Sequence, residues 1–172
     1  MQLVQAAVQQ MAKPPIPAPR HAELDLEHFL PYRLSVLSNR ISSAISREYA
    51  QRFALGVTEW RVMAVLGRYP GLSANQVAQR TAMDKVAVSR AVARLLAAGR
   101  LQRAFDADDR RRSVLHLTEP GYAVYDQVAP LALQFERHVL DGMPAKERAL
   151  LFRLLDRLDE LEIRAESEAT QA

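Results

Sequence analysis

Positions 73–117 constrain the fold of this chain more than any other stretch, because two short helical patterns are followed there by two short β-like runs. Ser73 and Gln76 have the spacing of a capping box, in which each side chain satisfies a backbone amide at the start of a helix. That helix extends to about Arg80, and after a short turn a second helix is predicted from Asp84 to Ala98. Two short helices joined by a tight turn predict a helix-turn-helix motif.

The two β-like runs predict a hairpin. Gly99 ends the preceding helix, and the runs Leu101–Phe105 and Val114–Leu117 follow it. The connecting residues from Asp106 to Ser113 include three aspartates and three arginines. We therefore expect a hairpin with a charged tip.

Apolar residues at helical spacing precede this segment. Between Leu24 and Phe53 they recur every three or four positions, which predicts a long helix with an apolar stripe. Pro31 lies within the pattern, so the turn up to Leu30 is either a separate short piece or a kinked start of the main helix. Thr58 is the predicted N-cap of the next helix, which ends at Pro70-Gly71.

Two further helices are predicted after the hairpin. The first begins after Thr118 and contains Pro130, which predicts a kink. The second begins after Met143-Pro144, and leucines form an apolar seam along it between Leu151 and Leu161.

The composition excludes several kinds of chemistry. The chain has 172 residues, enough to bury a core, and its lack of cysteine excludes disulfides, thiolate nucleophiles and cysteine-based metal sites. None of the four histidines is paired at ligand spacing, so we expect neither a metal nor a bound cofactor. The sequence has no phosphate-binding glycine loop and no Ser, His and Asp arrangement typical of an enzyme.

Its apolar runs are too short to span a bilayer, so we expect a cytoplasmic protein that does not enter membranes.

The second helix of the predicted helix-turn-helix has two different faces on a helical wheel. The inward face consists of Val88, Ala91, Val92 and Leu95. The outward face consists of Val86, Ser89, Arg90, Ala93 and Arg94. Small outward residues allow close approach to a surface, and Ser89 and Arg90 can donate to base edges or phosphates, as a recognition helix in the major groove requires. The alternative is a solvated helix face with two ordinary arginines.

Positive charge is concentrated around this helix and the hairpin tip. The stretch Arg80–Arg112 carries nine basic and four acidic residues, whereas positions 150–172 carry three basic and six acidic residues. Three consecutive arginines at 110–112 could enter a narrow minor groove, where arginine is favoured. The alternative is a surface ion-pair cluster with the neighbouring aspartates, worth less than about 1 kcal/mol.

The string DRRRSVLHLTEPG from Asp109 to Gly121, together with the preceding LSANQVAQRTAMDKVAVSRAVARLLAAGRLQR, resembles the MarR family of winged-helix transcriptional regulators. The resemblance covers roughly Phe29 to Leu161. The family's wing pattern is an Asp-x-Arg followed by a strand that ends in Leu-Thr-x-x-Gly. It is matched in register by Asp109, Arg111, Leu117, Thr118 and Gly121.

The resemblance implies a mainly α-helical fold with a small β-hairpin wing, in which an intertwined helical homodimer carries two winged helix-turn-helix heads. Both apolar stripes would then be buried between subunits. The implied organisation is an N-terminal arm over 1–23, a dimerisation helix over 24–55, a DNA-binding domain over 56–120, dimerisation helices over 121–165 and a tail over 166–172.

The resemblance also implies double-stranded DNA as the partner, with the second helix in the major groove and the wing in the minor groove. Two related heads predict a palindromic operator whose half-sites lie about one helical turn apart. The residues expected at this interface are Ser73, Lys85, Val86, Ser89, Arg90, Arg94, Asp109, Arg110, Arg111 and Arg112.

Many members of this family are repressors released by small aromatic carboxylates. The sequence around the first two helices resembles the subgroup that controls the degradation of aromatic acids of the hydroxycinnamate or nicotinate type. Such a ligand needs an aromatic or apolar slot and one or two fixed cations. The residues that fit this chemistry are His28, Tyr32, Arg33, Trp60 and Arg61. Alternatively, the tryptophan belongs to the core, the two arginines pair with carboxylates across the dimer, and the histidine is an ordinary surface residue.

A second function remains open from the sequence, namely a nonspecific architectural protein that bends or coats DNA without an effector. Competition with random DNA separates the two functions. A regulator keeps a specific advantage of roughly a thousandfold or more, whereas an architectural protein loses its whole signal.

Overall fold

The computed structural model describes residues 21–105 and 113–161, and within them six helices and one antiparallel hairpin. In chain order these are α1 (Leu30–Phe53), α2 (Val57–Arg68), α3 (Ala74–Thr81), α4 (Lys85–Ala97), β1 (Leu101–Phe105), β2 (Ser113–Leu117), α5 (Glu119–Asp141) and α6 (Ala145–Glu160). The predicted fold class, mainly α-helical with a small hairpin, is confirmed.

The local signals around the helix-turn-helix are confirmed. The Ser73 N–H donates to Gln76 Oε1 at 2.9 Å, and the Gln76 N–H donates to Ser73 Oγ at 3.3 Å, which is the predicted capping box at the start of α3. Asp84 caps α4 by accepting the Ala87 N–H at 2.9 Å. Gly99 follows α4 with a φ of +66°, a conformation that glycine adopts without steric cost, and the helix ends there.

The start of α2 differs from the prediction. The N-cap is Gly56 rather than Thr58, and the helix begins at Val57. The Gly56 N–H donates a close hydrogen bond to the Glu59 carboxylate. The threonine prediction was wrong because the helix begins two residues earlier than Thr58 would cap it, which places Thr58 inside the first turn.

The start of α1 resolves the alternatives at Pro31. The residues before Leu30 form a separate turn, in which the His28 N–H donates to the Asp25 carbonyl at 3.3 Å. Pro31 lies in the first turn of α1, where its missing N–H removes no helical hydrogen bond. The proline is therefore compatible with a continuous helix after it.

The hairpin is joined to the start of the helix-turn-helix. Its strands pair antiparallel along their whole lengths. Leu72, just before α3, forms a bridge to Leu115 of β2: the Leu115 N–H donates to the Leu72 carbonyl at 2.9 Å, and the Gly71 N–H donates to the Leu115 carbonyl at 3.0 Å. The predicted charged tip, residues 106–112, lies outside the described residues.

The start of α5 is held against the base of the hairpin. The Thr118 N–H donates to the Arg100 carbonyl at 3.1 Å, and the Thr118 hydroxyl donates to the Gly99 carbonyl at 2.6 Å while accepting the Gly121 N–H at 3.1 Å. A Cβ on Gly121 would lie 2.1 Å from the Arg100 carbonyl oxygen. In the Leu-Thr-x-x-Gly pattern, the threonine is therefore needed for its hydrogen bonds, and the glycine is needed because a side chain would collide with the Arg100 carbonyl.

The chain divides into two compact units, Met1–Arg40 and Ile41–Ala172. The hydrophobic core belongs to the second unit and takes side chains from the end of α1, from α2 to α5 and from the hairpin. The predicted inward face of α4 is confirmed, because Val88, Ala91, Val92 and Leu95 are at most 2% exposed.

Large apolar side chains remain exposed in the first unit and on α6. No residue of α6 is buried. The exposed apolar residues are Leu24, Leu26, Phe29, Leu30, Tyr32, Leu34 and Leu37 in the first unit, and Leu150, Phe152, Leu154, Leu155 and Leu161 on or beside α6. No helix of the described residues has the length and apolarity that a membrane span needs.

Candidate nucleic-acid interface

The outward face of α4 is the candidate reading surface. Val86 is 55% exposed, and Lys85, Ser89 and Arg90 are exposed beside it. Within the described residues, the side chains of Lys85, Ser89 and Arg90 have no hydrogen-bond or ion-pair partner. Since the opposite face of α4 is packed into the core, these donors are held on a rigid helix and are available to base edges and phosphates.

Arg94 lies on the same outward face but has a partner inside the protein. Its Nε donates to Glu59 Oε1 in a close ion pair, with the Arg94 side chain 61% exposed and the Glu59 side chain 11% exposed. The other carboxylate oxygen of Glu59 accepts the Gly56 N–H. One carboxylate therefore satisfies two donors from different parts of the fold, as a mostly buried charge requires. The predicted contact of Arg94 with a DNA phosphate stays a prediction.

Sequence reasoning missed Glu59. The ion pair joins residues 35 positions apart, and no local pattern relates them. The available signal was a glutamate in the first turn of a predicted helix, where a carboxylate is favoured by the free backbone amides.

Ser73 is half-buried at the start of α3, and its hydroxyl takes part in the capping box. It accepts the Gln76 N–H and donates to Gln76 Oε1 at 3.0 Å. The other predicted contacts, Asp109, Arg110, Arg111 and Arg112, lie outside the described residues. Their roles stay predictions.

Three of the predicted ligand residues line one depression in the first unit. His28, Tyr32 and Arg33 border it together with Arg40 and several apolar side chains, and its volume is about 640 Å³. That volume falls within the range of small-ligand sites. His28 Nδ1 lies 2.8 Å from Asp25 Oδ2, and both side chains are largely exposed. In the described part of the chain, no three histidine, aspartate or glutamate side chains cluster as metal ligands do.

The other two predicted ligand residues, Trp60 and Arg61, lie in the second unit. The Trp60 ring is half-buried between two tyrosines, with centroid distances of 5.9 Å to Tyr49 and 5.8 Å to Tyr125. Arg61 Nη2 donates to Ser42 Oγ at 2.7 Å. Burial raises the pKa of Tyr49 to about 12, although the positive charge of Arg61 opposes this rise. Trp60 thus packs against the core, and a role in ligand binding stays a prediction.

Part of this chain, including the candidate reading surface on α4, is similar in sequence to known transcriptional regulators. Residues 55–112, which include α2, α3, α4 and β1, match the MarR family. The repressor NicR of Pseudomonas putida is 31% identical over 83 residues, which are 48% of this chain and 52% of NicR. The chain spans 52% to 65% of the length of three curated regulators that are 29% to 31% identical to it.

Solved structures share the fold over most of their length. A MarR/EmrR family regulator from Acinetobacter sp. ADP1 has a TM-score of 0.72 and 28% identity, over 79% of this chain and 96% of that chain. PcaV of Streptomyces coelicolor, determined in complex with its natural ligand, has a TM-score of 0.62 and 26% identity, over 81% of this chain and 97% of PcaV. The predicted winged helix-turn-helix is therefore confirmed.

Proposed function

We propose that the chain is a member of the MarR family of winged-helix DNA-binding transcriptional regulators, and that it is a homodimeric, sequence-specific repressor released by a small aromatic carboxylate. The observation that carries the proposal is the outward face of α4. It presents exposed Ser89 and Arg90 beside the small Ala93, while the inward face is buried.

Recognition of an operator follows from this face. The guanidinium of Arg90 can donate two parallel hydrogen bonds to the O6 and N7 atoms of guanine in the major groove. The methyl groups of Val86 suit the methyl group of a thymine. Two copies of this face in a symmetric dimer would read the two halves of a palindrome, with half-sites about one helical turn apart.

A homodimer accounts for the exposed apolar side chains. Phe152, Leu154 and Leu155 of α6 are 38% to 46% exposed, and Leu34 and Leu37 of α1 are 42% and 55% exposed. An apolar surface of this kind on a helix that buries none of its own residues suits a subunit interface.

The depression in the first unit supports an aromatic carboxylate as the effector. The Tyr32 ring offers an aromatic contact, and Arg33 and Arg40 offer guanidiniums to a carboxylate, which binds arginine through two parallel hydrogen bonds. Such a ligand can release DNA only if it binds more tightly to a conformation of the dimer that does not fit DNA than to the DNA-bound conformation.

The experiment that tests DNA recognition is selection of duplexes from a random pool, followed by titration of the selected site against random duplex. We expect a palindromic site that binds roughly a thousandfold more tightly than random DNA. Equal affinity for both would contradict the proposal and favour an architectural DNA-binding protein.

The effector is tested by adding hydroxybenzoates, hydroxycinnamates and pyridine carboxylates to the protein–operator complex. We expect a member of this panel to release the DNA, and to stabilise the free protein by about 2.7 kcal/mol at a hundredfold excess over its Kd. The Arg33→Gln variant should lose the response, whereas Arg47→Gln, an exposed arginine of α1 outside the depression, should keep it. No release and no stabilisation across the panel would contradict the effector part alone.

A further inference from the structure

Two arginines and a tyrosine form a cluster that the sequence analysis left without a role. Arg68 ends α2, Tyr69 follows it, and Arg80 lies in the last turn of α3. The guanidinium carbon of Arg80 lies 4.1 Å from the centroid of the Tyr69 ring, and that of Arg68 lies 5.0 Å from the same centroid. We call Arg68, Tyr69 and Arg80 the arginine–tyrosine cluster.

Within residues 21–105 and 113–161, the cluster holds two positive charges together without a carboxylate partner. Among the residues that the structure describes, neither arginine has a carboxylate partner or a hydrogen bond to another group. Two nearby cations repel each other, and the face of an exposed aromatic ring offsets this by only about 0.5–1 kcal/mol per contact. The ring thus positions two guanidiniums whose N–H groups stay available to an anion.

The position of the cluster on the helix-turn-helix favours a DNA phosphate as the anion. Arg80 lies on the first helix of the helix-turn-helix, four residues before the Asp84 cap of α4. Leu72, three residues after Tyr69, is bridged to the hairpin. The first helix of such a motif crosses the phosphate backbone while the second lies in the major groove. We therefore expect the cluster to lie near a DNA phosphate beside the major groove.

We propose that Arg68 and Arg80, positioned by the ring of Tyr69, bind one phosphate of the operator backbone next to the groove that α4 enters. This inference rests on the proposed function. A phosphate offers several acceptor oxygens to two guanidiniums, and such contacts fix the register of a protein on DNA without reading the base sequence. The cluster therefore adds affinity and salt dependence, but no base preference.

The test is the double variant Arg68→Gln with Arg80→Gln, titrated against the selected operator and random duplex from 0.05 to 0.3 M salt. Each subunit of the double variant loses one phosphate contact, so the slope of log K against log salt should fall by about 1.8 for the dimer, which is a weakening of about 25- to 100-fold at 0.1 M salt. Operator and random duplex should weaken by the same factor. An unchanged slope, or a weakening confined to the operator, would overturn the inference.

A second measurement locates the phosphate. Operator phosphates are replaced one at a time by uncharged methylphosphonate. At one position in each half-site, the replacement should weaken wild-type binding five- to tenfold and leave the double variant unaffected. If every replacement affects both proteins equally, the cluster does not bind a backbone phosphate.

Two controls separate this outcome from other causes. The Arg137→Gln with Arg153→Gln variant removes two exposed arginines of α5 and α6, and it should leave the salt slope unchanged if total charge is not the cause. Tyr69→Leu keeps both charges but removes the ring, and it should weaken binding less than the double variant does.

If wild-type protein binds no duplex specifically, the proposed function fails. If it binds specifically and the double variant matches it, only the cluster's role fails.

Discussion

Glu59 in the first turn of α2 is ion-paired with Arg94 in the last turn of the candidate recognition helix. The same carboxylate accepts the N–H of Gly56, where α2 begins. Glu59 is the one charged side chain among the buried residues that the structure describes. The pair therefore holds the C-terminal end of the candidate recognition helix against the start of a neighbouring core helix.

Replacement of Glu59 by alanine should destabilise the fold. The change removes the partner of Arg94 and leaves the Gly56 N–H unsatisfied, so we expect a loss of about 1–3 kcal/mol in the free energy of unfolding. Urea unfolding of Glu59→Ala, Arg94→Ala and the double variant measures the coupling between the two residues. We expect a coupling of about 0.5–1.5 kcal/mol, since Arg94 is largely exposed. Strictly additive effects would show that the pair does not stabilise the fold.

Replacement of Arg90 by alanine should impair DNA reading without affecting stability. Arg90 is exposed, and it has no partner in the described part of the chain. We expect binding of the selected operator to weaken by about 1–3 kcal/mol, with relaxed preference at one base pair of each half-site. Arg47→Ala, on α1, serves as the control for loss of an exposed arginine. Unchanged titrations with Arg90→Ala would rule out this side chain as a base contact.

The substitution Leu154→Asp should dissociate the proposed dimer. Leu154 is 46% exposed on α6, within the apolar seam. A charge buried there without a partner costs about 3 kcal/mol or more, which raises the dimer Kd by at least about a hundredfold. Sedimentation velocity compares Leu154→Asp with Arg153→Asp, which changes a neighbouring polar position. A Leu154→Asp protein that still sediments as a dimer would place the interface elsewhere.

The raised pKa of Tyr49 should make the fold less stable at alkaline pH. Burial raises this pKa from 10.0 to about 12. Above pH 10 the phenol therefore loses its proton in the unfolded chain but keeps it in the folded chain, so the free energy of unfolding falls between about pH 10 and 12. The full loss is about 2–3 kcal/mol. Urea unfolding at pH 8 to 11 should show a shallower decline for Tyr49→Phe than for wild type, whereas the exposed Tyr122→Phe should follow wild type. Parallel declines for all three proteins would contradict this assignment.

An alanine at position 67 should destabilise the protein although alanine favours helices. A Cβ there would lie 2.5 Å from the Tyr125 ring, which itself contacts the ring of Trp60. Displacement of Tyr125 should cost about 1–3 kcal/mol, more than the helical gain of about 1 kcal/mol. Since Trp60 is the single tryptophan, its fluorescence reports the displacement directly. Gly142→Ala is the control, since nothing lies within 4 Å of its Cβ. A more stable Gly67→Ala protein with unchanged fluorescence would contradict the expected contact.

Local chemistry explains why so much of the fold could be predicted. The Ser73–Gln76 capping box, the Asp84 cap and Gly99 act over a few residues, so each was visible in the sequence and each is present in the structure. The buried face of α4 follows from helical periodicity in the same way. The error at Thr58 shows the limit of such signals, because a favourable capping residue type does not fix where the helix begins: the N-cap is Gly56, and Thr58 lies inside the first turn.

Contacts between distant residues could not be predicted. The Glu59–Arg94 pair, and the approach of Arg80 to Tyr69, depend on how α2 packs against α4 and α3. A single sequence shows the residue types but not which of them meet. For the ligand residues, chemistry suggested His28, Tyr32 and Arg33, which do line one depression, whereas Trp60 packs between two tyrosines in the other unit.

The hydrogen bonds at the base of the hairpin have a consequence for how this chain can vary in evolution. Thr118 and Gly121 hold the start of α5 against Arg100, and Leu72 holds β2, so the hairpin is anchored at its base by described residues. We therefore expect insertions and replacements between Phe105 and Ser113 to leave the strands and the core in place. Length and charge could then vary in this segment through mutation while the folding stability of the rest of the protein is inherited unchanged.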